Sequence, residues 1–486
     1  MRLGSGKTRV SVLRGTRIWI PALAGAALLA TPVPARASEP ARQAADEQER
    51  QVRDLERRIE DLEREVQRLK DAAGETGSAA AAAEELERRI EALGRDLERL
   101  RVGEAAEVKA GTSEYGLGPA ASKIYKVKHG LSVGGYGEML YQNFDNERDD
   151  GAPAGKSDKA DFQRAVLYFG YKFNDRILFN SETEFEHATS GEGDEEKGEV
   201  SVEFAYLDFL VHKTFNVRTG LLLVPVGLIN ELHEPPVFHG ARRPEVETQI
   251  IPSTWRENGA GIFGDLGPFS YRMYAMASLD GTRLAAAGIR EARQGGSESN
   301  AEDLAIAARL DLTGVPGLIA GASVFTGNTG LDNFSGGRLT LADAHADWKW
   351  KGLELRGLVT RAIVSDAEAI DAAHVDADGI PAPLTGSDTV GERLLGWYGQ
   401  IAYDVLSPLE GTEQQLFPFV RYERLDTQHR VPGGFSAAPA NDRTIVTSGL
   451  TYKPIANVAI KADYQNFRNH AGTGINQFNL AVGYLF

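Results

Sequence analysis

The stretch QFNLAVGYLF, residues 477–486, decides how the rest of the chain is read. At a period of two, Phe478, Leu480, Val482, Tyr484 and Phe486 share one face of a strand, and Gln477, Asn479, Ala481, Gly483 and Leu485 share the other. The first face is apolar and aromatic. The second, Leu485 apart, is polar or small. An apolar face of this kind needs another chain or a lipid to cover it. In a transmembrane β-barrel it meets lipid, with aromatic side chains at the interfaces and a polar lumen behind. Taken alone, the same alternation would also suit an edge strand of a soluble sandwich.

Composition agrees with the barrel. The chain has 486 residues, of which 42% are hydrophobic. Its mean hydropathy of -0.30 is too low for a bundle of membrane helices but ordinary for a barrel, in which every second strand residue faces water. There is no cysteine, which excludes disulfides, thiolate metal sites and cysteine nucleophiles. Fifty-three glycines against four methionines suit strands and turns.

Residues 1–37 read as a secretory signal. Arg2, Lys7, Arg9, Arg14 and Arg17 precede an apolar run from Ile18 to Ala30, and Ala35-Arg36-Ala37 supplies an A-x-A site, predicting cleavage before Ser38. Removing its six basic residues leaves 47 Lys and Arg against 69 Asp and Glu, a net charge of -22. Residues 38–104 carry a helical pattern. Val52, Leu55, Ile59, Leu62, Val66 and Leu69 alternate steps of three and four, and Leu86, Ile90, Leu93, Leu97 and Leu100 resume the seam after a break holding Gly74 and Gly77. So narrow an apolar stripe predicts a coiled coil. Its Val/Ile and Leu seam suits two strands, but Arg58 to Glu63 resembles a short trimer-specifying pattern and favours three.

Residues 105–129 read as linker, and from Gly130 onward the helical period is gone. Sixteen strand candidates follow, between 130–144 and 476–486, an even number that puts both ends of a barrel on the periplasmic side. Charged rows alternate with apolar or small ones. Asn180, Glu182, Glu184 and Glu186 oppose Phe179 and Phe185; Asp343, His345, Asp347 and Lys349 oppose Ala342, Ala344, Ala346 and Trp348; Lys461 and Asp463 oppose Ile460, Ala462 and Tyr464. Asp343-x-His345-x-Asp347 is also a conceivable metal row, but it lacks a fourth convergent ligand and reads as charged lumen. No histidine falls in a hydrolase-like spacing with serine and there is no basic nucleic-acid surface, so neither an enzyme nor a nucleic-acid partner is expected.

The ordered motifs FQRA at 162–165, SETEFEHA at 181–188, FAYLDF at 204–209, GLLLVPVGL at 220–228, PFVRYERLDT at 418–427 and LTYKPIANVAIKADY at 450–464 together resemble the phosphate-selective porin O and P family across 130–486. The resemblance implies a sixteen-stranded trimeric outer-membrane porin, with no cofactor, passing small hydrophilic solutes or ions. It also implies a third loop, Ile229 to Glu257, folded into the pore as its constriction. That loop would bring Arg242, Arg243, Arg256, His233, His239, Glu234, Glu245 and Glu247 to the narrowest ring. Arg164, Glu182, Glu184, Glu186, Arg272, Asp343, His345, Asp347, Lys349, Arg356, Arg421, Glu423, Lys461 and Asp463 would line the lumen. Arginine suits phosphate through its bidentate fork. Against phosphate, Leu223 stands where many relatives carry a basic residue, Glu182 to Glu186 form a carboxylate row, and 130–486 hold 30 basic against 48 acidic residues. A different expectation is a structural anchor, its coiled coil reaching from the outer membrane toward the cell wall.

Overall fold

The computed structural model describes residues 53–55, 57–68, 86, 89, 90, 93, 113–188, 198–409 and 411–486. The signal segment, the start of the linker, most of the second helical repeat and part of the 187–199 connection lie outside these. Residues 1–100 and 101–486 form two compact units. In the first, 53–55 and 57–68 are helical, with exposed pairs Asp54–Arg58, Asp61–Arg64 and Glu65–Arg68 at helical spacing.

The second unit is a closed barrel of sixteen antiparallel strands, each paired with its sequence neighbours. The strands are β1 (Gly130–Phe144), β2 (Lys159–Asn174), β3 (Ile177–Glu186), β4 (Val200–His212), β5 (Phe215–Leu223), β6 (Arg256–Leu266), β7 (Phe269–Ala277) and β8 (Leu304–Leu312). They continue as β9 (Leu318–Gly327), β10 (Leu339–Trp350), β11 (Leu353–Val364), β12 (Arg393–Tyr403), β13 (Gln415–Arg430), β14 (Asp442–Ile455), β15 (Val458–Asn469) and β16 (Gln477–Leu485). Each coincides with one of the sixteen expected strands. Three short helices accompany them: α1 (Lys123–Lys126) precedes β1, α2 (Val246–Gln249) lies between β5 and β6, and α3 (Ala367–Ala373) lies between β11 and β12.

The final strand closes the ring. β16 pairs with β15 and with β1, and Phe486 exchanges backbone hydrogen bonds with Gly135 at 2.9 and 3.0 Å. Its apolar row points outward, with Phe478, Leu480, Tyr484 and Phe486 all exposed, while Gln477, Asn479 and Leu485 are buried inward. The same alternation holds on β10, where Asp343, His345 and Asp347 are buried inward and Ala342, Ala344, Ala346 and Trp348 face out. A barrel leaves no unpaired edge, so the outer wall presents side chains alone to its surroundings.

Two segments occupy the lumen. The third long connection, L3 (224–255), folds inward from β5 before returning to β6. The second is 113–126. Where the sequence predicts linker over 105–129, Leu117, Ala120, Ala121 and Ile124 are instead buried against the inner faces of β1 to β7. Both join one apolar cluster with inward side chains such as Phe204, Phe325, Leu341 and Ile445. That cluster fills lumen space that alternation alone assigns to water.

Candidate functional site: the lumen and its inward-folded loop

L3 begins where β5 stops being able to pair. Val224-Pro225-Val226-Gly227 interrupts the ladder, because Pro225 lacks an N–H and Gly227 sits at φ +72°, so the chain turns into the lumen. A loop buried there must satisfy its backbone polar groups without water, and charged side chains of the wall do this. Asp343 accepts from Gly227 N at 3.1 Å, Asp463 from Ala241 N at 2.6 Å and Glu423 from Val246 N at 3.3 Å. Arg356 donates to Val237 O at 3.1 Å, Arg421 to His239 O and Arg242 O at 3.2 Å each, and Lys461 to Gly240 O at 2.9 Å. Six of the residues expected to line the lumen, Asp343, Arg356, Arg421, Glu423, Lys461 and Asp463, thus face inward and hold L3. Spacing alone cannot distinguish these uses.

Within the loop, Glu247 on α2 accepts from Leu228 N and Ile229 N, both at 2.7 Å, and from Tyr398 OH at 2.6 Å. Its burial pushes the carboxyl pKa up, partly offset by these donors. His233 bridges Asn230 O and Glu182 at 2.9 and 3.1 Å, and His239 meets Glu354 at 2.9 Å. Burial lowers the His239 pKa to about 4 against the pull of Glu354. Glu231 pairs with Arg272 and Arg309, at 3.1 and 3.3 Å, and both arginines also reach Asp311. His345 lies between Asp343 and Asp311, at 2.5 and 2.8 Å. Arg356 also pairs with Asp347, and Arg421 with Glu423.

Residues 113–126 dock on L3 and the wall together. Ala120 N and Ala121 N both donate to Glu234 Oε1, at 2.9 and 3.1 Å, and Asn180 donates to Ala121 O at 3.0 Å. Burial raises the Glu234 pKa to about 7, with those two amides pulling it down. Tyr125 donates to Asp208 at 2.7 Å and receives from Arg218 at 2.7 Å, while Asp208 and Arg218 pair directly. Gly116 must be glycine: it has φ +85°, and a Cβ there would lie 2.8 Å from the Arg272 guanidinium.

Charged side chains gather around two cavities of the lumen. One, of 640 Å³, opens beside the short turns and is lined by Arg272, Arg309, Asp311, Asp347, Lys349, Glu354 and Lys453 together with Glu114 and Tyr115 of the N-terminal segment. The other, of 150 Å³, lies on the far side of L3 and gathers Arg164, Arg242, Arg243 and Arg290 with Glu138 and Glu186. Arg164 pairs with Glu184 at 2.8 Å and Arg242 with Glu245 at 3.0 Å, whereas Arg243 Nη2 is buried without a hydrogen-bond partner. Arg256 opens β6 and pairs with Glu203 at 2.7 Å. Of the eight residues expected at the constriction, Arg242 and Arg243 line the smaller of these cavities. Arg290, in the 278–303 connection, has no sequence signal, because only the fold of that loop brings it here. Arg309 and Asp311 were readable as inward members of β8.

The geometry defines a closed sixteen-stranded β-barrel, apolar outside and charged inside, with one loop turned into the lumen. The chain belongs to the same family as an uncharacterised protein of Aquifex aeolicus (strain VF5), 40% identical over 356 residues that make up 72% of this chain and 78% of the relative. No family model matches. Among solved structures the chain is similar to Salmonella typhi OmpF in complex with daunomycin (13% identity, 74% of this chain and 98% of that one, TM-score 0.49). It is also similar to the anion-selective porin from Comamonas acidovorans (12%, 73% and 99%, TM-score 0.45) and to the outer membrane channel DcaP of Acinetobacter baumannii (13%, 73% and 97%, TM-score 0.47).

Proposed function

We propose that the chain is an outer-membrane porin through which small hydrophilic solutes or ions, anions such as phosphate among them, diffuse passively past L3. The carrying observation is the closed sixteen-stranded barrel with apolar outward rows, charged inward rows and a loop folded inside. The anion preference rests on the small cavity, where four arginines converge and Arg243 presents an unpartnered buried N–H. On this reading, residues 1–37 are removed on export. Residues 38–104 form a periplasmic coiled coil, three-stranded to match a homotrimer.

The test is the reversal potential of the purified protein in a planar bilayer under a salt gradient. An anion-selective value supports the arginine cavity, and a cation-selective one hands the passage to Glu138 and Glu186. Absence of conductance favours a second reading, an anchor linking the outer membrane to the cell wall through the coiled coil. The apolar packing of L3 and of 113–126 inside the lumen supports that second reading.

A further inference from the structure

At the long-connection ends of β11 to β15 the outer wall departs from its apolar rule: Arg424 and Asp426 on β13, Asp442 on β14 and Arg468 on β15 lie on outward rows, and so do two arginines of β11 and β12. On β11 the outward row reads Val359, Arg361, Ile363, with Val359 49% and Ile363 42% exposed on either side of the arginine. On β12, Arg393 pairs with Ile363, and Arg361 with Leu395, so the two arginines are diagonal neighbours on one face, about 7–8 Å apart at the backbone. Two residues below Leu395 on the same row is Trp397, tilted against Tyr422 with ring centroids 5.3 Å apart, both rings being exposed. Arg361 and Arg393 therefore sit just above these rings, on the side of the long connections.

Neither arginine has an acidic partner among the described residues. Nearby Arg424 and Arg430 do, in Asp442 and Glu392. Asp426, also close, pairs with His429. On the opposite side of the barrel, the outward residues at the same ends of β3, β4, β7 and β8 are uncharged: Phe185, Val200, Val202, Ala275, Leu304 and Ile306. An arginine held in a lipid-facing row is unfavourable unless its head reaches the interface and finds an anion there. Two guanidinium forks at this spacing match a phosphate group.

We infer that the outer wall over β11 and β12 binds a phosphate-bearing lipid headgroup of the outer leaflet, with Arg361 and Arg393 as its donors. The inference rests on the barrel spanning the outer membrane and is independent of what passes through the lumen. The test uses the full-length protein in neutral detergent, titrated with diphosphorylated lipid A and with its dephosphorylated counterpart, bound lipid being counted by native mass spectrometry. The expected result is binding of the phosphorylated lipid only, weakened about tenfold or more in R361Q/R393Q, the loss of two charge-assisted contacts. A K156Q/K159Q control, which removes the same charge elsewhere, should bind as the parent does. Heat-modifiable migration on gels verifies that each variant is folded, and the single variant R361Q replaces the pair if the pair does not fold. Equal binding of both lipids, or unchanged binding in the folded arginine variant, overturns the inference. Displacement of the lipid by inorganic phosphate alone also overturns it, as the mark of an ion site. Conductance, measured separately, tests the porin reading and should be the same in R361Q/R393Q.

Discussion

L3 and the N-terminal segment fill the same lumen, but they are held differently. L3 is tied to strands at both ends and clamped by wall charges on β10, β11, β13 and β15, besides its internal Glu247 latch. The 113–126 segment is tied at one end. Its polar links are fewer, chiefly Glu234 to the amides of Ala120 and Ala121 and Tyr125 to the Asp208–Arg218 pair. The difference teaches that the two fillers should separate experimentally: L3 as part of the barrel's stability, the N-terminal segment as a removable restriction of the inlet.

The largest effect should come from breaking the L3 latch. Glu247→Ala leaves two buried amides and the Tyr398 hydroxyl without their acceptor, a loss of about 3 kcal/mol or more. The expected outcome is a lower temperature for loss of the folded gel band together with a larger, noisier conductance. A variant as stable as the parent would show that L3 is held by its apolar contacts instead.

Next in size is selectivity. Replacing Arg242 and Arg243 by Ala removes two of the four arginines of the small cavity and should shift the reversal potential toward cations. Unchanged permeability ratios would place the narrowest ring elsewhere.

The smallest effect distinguishes the fillers by pH. Glu234 has its pKa raised to about 7, above its ordinary value of 4.5, so the folded state binds this proton more tightly than the unfolded one. Its contribution to folding stability is fully present below about pH 4.5 and is lost as pH rises through 7. The temperature at which the folded gel band is lost should therefore fall modestly between pH 5 and pH 8, as the carboxylate charges in its buried site between L3 and the N-terminal segment. Glu234→Gln should flatten that dependence without changing selectivity, and a slope that survives the substitution assigns it to another group.

The barrel was legible in the sequence because strand alternation is a local property: each residue's parity sets its face, and the outward row must be apolar whatever lies inside. Inward parity likewise put Asp343, His345, Asp347, Arg356, Arg421, Glu423, Lys461 and Asp463 toward the lumen. Parity does not reveal what a side chain meets across the lumen, however, and there the tertiary structure decided. Asp343, Glu423 and Asp463 meet L3 amides, while Arg356, Arg421 and Lys461 meet L3 carbonyls, because a buried loop has to find donors and acceptors. The segment 113–126 was invisible for a related reason. Its short, Gly- and Ala-containing sequence has no periodic signal, and its place depends on Glu234, more than a hundred residues away along the chain. The sequence by itself determined the number of strands, their faces and the sign of each inward charge. Only the three-dimensional closure of the lumen determined which charges face water and which hold the chain's own backbone, since that depends on partners that local periodicity does not encode.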